Sequence, residues 1–208
     1  MSGDDGGSYS DLRVACNEAR RTLDQQIEKI HKEDQKAVGI FRLNLLVLGI
    51  LSSGVSLSIR TDTISASNFV NAHVAIGASS LILSTVLAAM TYTSSSFSMG
   101  IKPGPVTQAA NDGYESGEFL NTLSSEYSNW LEYNQKVHKF NANSIVWAMI
   151  FAVAGLVFFI GGIAIGVLQI RGSPESYILL AVELILAMIL AGFIYYSDEI
   201  FETLGNID

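Results

Sequence analysis

Charge, cysteine and proline are all scarce in this sequence. Only 15% of its 208 residues are Asp, Glu, Lys or Arg, whereas 49% are hydrophobic. A single cysteine, Cys16, excludes an intramolecular disulfide and any cysteine cluster for zinc. The three prolines, Pro103, Pro105 and Pro174, all fall between long apolar runs, so none of those runs carries a helix-breaking residue. Basic residues are the minority, 12 Lys and Arg against 20 Asp and Glu, giving a net charge of −8. That balance argues against nucleic acid, which binds a basic stripe, and suggests the proteome of a halophile.

What is present is apolar length. Hydrocarbon about 30 Å thick is crossed by about 20 helical residues. Four runs qualify, at residues 40–59, 70–92, 144–168 and 177–196. A large soluble bundle would not need four runs of this length. The start, MSGDDGGSYSD, lacks the basic, apolar pattern of a cleaved leader, so the first run is expected to be an uncleaved anchor.

Short loops rich in Lys and Arg stay in the cytoplasm. Arg13, Arg20, Arg21, Lys29, Lys32, Lys36 and Arg42 precede or begin the first run, and Lys102, Lys136 and Lys139 lie between the second and third. The other two connections hold only Arg60 and Arg171. The expected location is therefore the cell membrane, with the N-terminus, the central loop and the C-terminal tail all cytoplasmic.

The expected fold is all-α and integral to the membrane: four transmembrane helices as two hairpins, each preceded by a cytoplasmic amphipathic helix. Residues 1–10 form a disordered start, 11–39 a stalk helix, 40–92 the first hairpin and 93–113 a loop. Residues 114–143 form a second cytoplasmic helix, 144–196 the second hairpin and 197–208 an acidic tail. Leu12, Cys16, Ala19, Leu23, Ile27 and Ile30 recur every three or four residues along the first stalk. The stripe continues through Asp34, Val38 and Phe41, so an aspartate takes an apolar place. Phe119, Leu123, Tyr127, Trp130, Val137 and Phe140 repeat the plan in the second stalk, interrupted by Asn134 and Asn141. Polar residues in such seams often fix register. Gly100 to Pro105 should turn the chain, and Ser173-Pro174-Glu175 should cap and open the fourth helix.

Glu183 is the least expected residue, because a carboxylate near mid-bilayer costs about 2.5–3.5 kcal/mol on insertion scales. Counting depth from the middle of each run places it level with Ser53 and Ser79, its expected partners, with His73 nearer the outer surface. It reads either as an ion or proton site or as a hydrogen-bonded residue that locks helix packing. Ala148, Ala152, Gly155, Gly162 and Gly166 share one face of the third run and predict close helix contact, as do Gly49 with Ser53 and Ser80, Ser84 and Ala88. Asn44 should hydrogen-bond to a neighbouring helix. His31 with Glu28 or Asp34 lacks a third ligand, so no metal site is expected. No nucleophile elbow, HExxH motif or carboxylate dyad occurs, so neither catalytic residues nor a cofactor is expected.

The stretch from Glu33 to Asn44, EDQKAVGIFRLN, followed by an apolar run, resembles the Asp-x-Lys-Ala…Asn approach to the first membrane helix of Pycsar transmembrane effectors and SLATT-type proteins. It is also similar to multi-span membrane proteins of halophilic archaea. The resemblance implies a membrane effector that assembles and disrupts the bilayer, with Asp34, Lys36 and Asn44 as the matching positions. The chain departs from it in its fourth run and in having no cyclic-nucleotide-sensing domain. The expected function is thus a non-enzymatic, homo-oligomerising assembly in the lipid bilayer. The alternatives are a small ion or proton channel or transporter using Glu183, or a passive scaffold for a soluble partner.

Overall fold

The computed structural model describes residues 5–60, 66–94 and 116–197. They form four helices, α1 (Asp5–Arg60), α2 (Ala72–Ser94), α3 (Ser116–Leu168) and α4 (Pro174–Tyr195), with one 3-10 turn at Ala66–Phe69. Each of the four is long and apolar enough to cross a membrane. The expected turn at Gly100 to Pro105 and most of the acidic tail lie outside the described residues.

The chain divides into two compact units, one of Met1–Asp34 with Thr93–Ala142 and one of Gln35–Tyr92 with Asn143–Asp208. In the first, α1 and α3 lie side by side in the same direction. Cys16 Sγ donates to the Leu120 carbonyl at 3.9 Å and Gln26 Nε2 to the Leu131 carbonyl at 3.4 Å, at sequence separations of 104 and 105 residues. A near-constant separation is the mark of a parallel pair. Buried positions in α1 recur every seven residues, at Cys16, Leu23 and Ile30, the period of a knobs-into-holes seam. The α3 side of this core is Trp130, Asn134 and Asn141, and Asn141 Oδ1 accepts from Ser94 Oγ at 2.7 Å.

The acid drawn into this seam is Glu33, not Asp34. A 3.5-residue step from Ile30 falls between the two; Glu33 is buried and Asp34 half-buried. Glu33 Oε1 lies 2.6 Å from His138 Nδ1. The nitrogen nevertheless has no hydrogen-bond partner, so the approach is close but poorly directed. On the exposed faces Lys32 and Lys136 hold the carboxyls of Glu28 and Glu132 below the usual carboxylate range, by hydrogen bond and charge. Such solvated pairs contribute little to stability.

In the second unit α2 and α3 run antiparallel, and glycine sets their spacing. A Cβ on Gly77 would lie 2.8 Å from the Phe159 nitrogen and 3.0 Å from the Gly155 carbonyl, while one on Gly155 would meet Leu81 at 2.7 Å. Farther along, Gly162 faces Val74 and Gly166 faces the Phe69 ring. Asn44 Nδ2 donates to Ser84 Oγ at 2.8 Å, and that hydroxyl donates to the Ala148 carbonyl at 2.7 Å, joining three helices. Gly49 differs from the sequence expectation, since no atom lies within 4 Å of where its Cβ would be. Ser53 is exposed and bonds back to the Gly49 carbonyl.

The α3–α4 connection is only five residues, 169–173. Gln169 adopts φ 55° and Gly172 φ 77°. The Ile170 N–H reaches the Ile165 carbonyl at 3.3 Å, closing α3 with a left-handed residue at the position glycine usually takes. Ser173 then takes the extended N-cap conformation and Pro174 opens α4. Gln169→Gly should relieve the left-handed cost and raise stability by about 0.5–1 kcal/mol, read as a higher unfolding midpoint in detergent. An unchanged or lower midpoint would contradict this account of the turn.

Candidate functional site: a buried histidine–glutamate pair

The site begins with the start of α2. Asn71 Oδ1 accepts from the Val74 N–H at 2.9 Å, satisfying a donor that the helix leaves open. Its Nδ2 donates to the Asn68 carbonyl at 3.1 Å and to the Gly162 carbonyl of α3 at 2.9 Å. One side chain thus caps α2 and fixes its end against α3. Bare Cα atoms allow the approach, since a Cβ on Gly162 would meet Val74 at 2.5 Å.

His73 follows in the first turn of α2, and its Nδ1 lies 2.6 Å from Glu183 Oε2. The side chains are 3% and 6% exposed. Gly161 makes room for the carboxylate, because a Cβ there would fall 1.4 Å from Glu183 Oε1. That oxygen is buried and has no hydrogen-bond partner. Glu183 is also the one buried residue of α4. The opposite side of that helix turns outward, with Ile178, Met188, Ile189 and Phe193 all more than 60% exposed, while Leu180, Ala187, Leu190, Ala191 and Ile194 are half-buried.

A cleft of about 360 Å³ adjoins the pair, between the start of α2, the connection at Arg171 and Gly172, and the first turns of α4. Asn71, His73, Arg171, Ser176, Tyr177 and Leu180 are among its walls. Ser176, Leu180 and Glu183 are four and three residues apart, hence on one face of α4. The Arg171 guanidinium donates to the Ser67 carbonyl, tethering the connection to the segment before α2.

Chemically the pair is a one-proton device. With a proton between imidazole and carboxylate it can exist as an ion pair of zero net charge; gaining or losing a proton leaves one net charge in a water-poor site, which low polarity disfavours.

Depth counting chose the wrong neighbours. Ser53 bonds within its own helix, Ser79 is exposed, and His73, expected nearer the surface, meets Glu183 directly. Of the assembly candidates, Lys36 is exposed and Asp34 half-buried, while Asn44, Asn134 and Asn141 are fully buried in their helix seams. Gly155, Gly162 and Gly166 sit at helix contacts. Sequence reading missed Asn71, Gly77 and Gly161. Asn71 could have been found as a capping residue; the glycines carry no signal until their neighbours are known. No group of three or more metal-ligating side chains occurs among the described residues. The chain matches no protein-family model, no curated protein and no solved structure.

Proposed function

We propose that this protein is a non-enzymatic, self-associating membrane protein that alters the permeability of the cell membrane, and that the His73–Glu183 pair is the proton-dependent latch holding α4 to α2 and α3. The observation that carries the reading is that α4 is most deeply enclosed at a carboxylate paired with an imidazole. Glu183 is the one buried residue of α4, and it is paired at 2.6 Å. Half-buried Leu180, Ala187, Leu190, Ala191 and Ile194 supply apolar packing along the same side of α4, and the pair adds to it a contact that can gain or lose a proton. Lipid or another copy of the chain covers its outward faces, and the same holds for Leu46 and Ile50 of α1.

The helices are arranged as two hairpins, α1 with α2 and α3 with α4. The Lys and Arg bias puts both termini and the early parts of α1 and α3 in the cytoplasm and the two hairpin turns outside. Exposed Lys36 and half-buried Asp34 belong to the assembly surface of the stalks, while the buried asparagines hold helix seams within one copy. A transporter built within one copy is less well supported, because Gly77 and Leu81 separate the His73–Glu183 pair from the next buried polar side chain of α2, Ser84.

Reconstitution in liposomes tests the reading. Solute release by the wild type should change at least tenfold on acidification, and the change should vanish in E183Q and H73Q at equal protein incorporation. Release with the same pH dependence in all three proteins would overturn it.

A further inference from the structure

We propose that the His73–Glu183 pair exchanges protons with one face of the membrane alone, the face carrying the α1–α2 and α3–α4 connections, through the cleft beside Arg171. This deepens the latch reading and rests on it. The cleft, at about 360 Å³, has room for several waters at about 30 Å³ each, and Asn71, Arg171, Ser176 and Tyr177 among its largely apolar walls can supply partners for them. His73 is itself one of those walls, so the proton site lies at the border of the wet space rather than behind it. Ser176 and Leu180 lead along α4 to Glu183 in successive turns.

In the other direction the route closes. One and two turns beyond His73 on α2 come Gly77 and Leu81, both buried, with Gly77 against the backbone of Gly155 and Phe159 and Leu81 completely enclosed. The next buried polar side chain of α2 is Ser84, eleven residues and about 16 Å farther on. Its hydroxyl is already engaged by Asn44 and by the Ala148 carbonyl. Between the two polar sites the buried residues of α2 are Gly77 and Leu81, whose side chains offer water no hydrogen-bond partner. The other charged and titratable groups that line the cleft beside the pair are Arg171 on the connection and Tyr177 on α4. The facing stretch of α3 offers Gly161 and Gly162. The balance of the step is simple. Hydronium in the cleft gives one proton to the pair, leaving a protonated carboxyl beside an imidazolium, and water returns to the cleft. The net positive charge so created weakens the hold on α4.

Two measurements on the full-length chain decide the matter. Ala75→Cys, in a cleft wall, should react with a charged, membrane-impermeant methanethiosulfonate at least tenfold faster from the connection face than from the stalk face, in right-side-out and inverted vesicles compared. Equal rates from both faces, or faster reaction from the stalk face, would overturn the proposal. In proteoliposomes of sorted orientation, acid on the connection face alone should reproduce the full release response of symmetric acid. A response that follows stalk-face pH and is lost in E183Q would defeat the one-sided route while leaving the latch standing. A response that persists in E183Q would remove the latch itself. The labelling arm needs no release to be read.

Discussion

Replacing His73 by leucine is expected to destabilise the protein by about 3–5 kcal/mol, the usual result of stranding one member of a buried ion pair. The replacement fills the space but leaves the Glu183 carboxylate buried with no partner for either oxygen, since Oε1 has none already. The double variant H73L/E183L should return to within about 1 kcal/mol of the wild type, because replacing both charges by apolar side chains is often neutral or stabilising. Magnitude separates two pictures of the pair. Hydrogen bonds between neutral groups in membrane proteins average about 0.6 kcal/mol, so a loss under about 1 kcal/mol for H73L would mean that no charge is stranded. The measurement is the midpoint of denaturant or thermal unfolding in detergent, followed by helical signal and by the monodisperse fraction. A double variant as damaged as the single one would place the fault in packing rather than in charge.

Gly77→Ala should cost about 2–3 kcal/mol by overpacking, and Gly77→Val more. The added methyl would press on two backbone atoms of α3, the Phe159 nitrogen at 2.8 Å and the Gly155 oxygen at 3.0 Å. Backbone cannot rotate away as a side chain can; α2 must move off α3, taking Asn71 and His73 with it. Gly49→Ala is the matched control. It too is a helical glycine, but nothing lies within 4 Å of the new atom, so higher helix propensity should leave stability unchanged or slightly improved. Equal loss in both variants would show that helix contact is not what the glycine at 77 provides.

The spans were legible because bilayer thickness makes them compulsory, and Glu183 was legible because it breaks an apolar run. Its partner was not. Depth counted from the middle of each run treats the helices as level, whereas helices slide and tilt along one another to suit their contacts. Here the glycine contacts between α2 and α3, together with the Asn71 cap, put the first turn of α2 beside the tenth residue of α4. A similar half-residue ambiguity hid the acid of the first seam, where a 3.5-residue step cannot distinguish Glu33 from Asp34 without the position of His138. Asn134 and Asn141 were visible as interruptions of an apolar pattern and prove to be fully buried, while Phe140, counted in that pattern, is 45% exposed. Small residues were the least reliable sign. Gly155, Gly162 and Gly166 meet neighbours, but Gly49 has the same spacing logic and meets none.

The 110 residues that separate His73 from Glu183 also set a schedule for synthesis. A ribosome adding about 5–20 residues per second exposes His73 some 5–20 s before Glu183 exists. Through that interval α2 holds an imidazole with no carboxylate to meet it. Closure of the site therefore waits on the synthesis of α4, and a chain interrupted before it carries an unfulfilled polar group by which quality control can tell it from one that has passed that point.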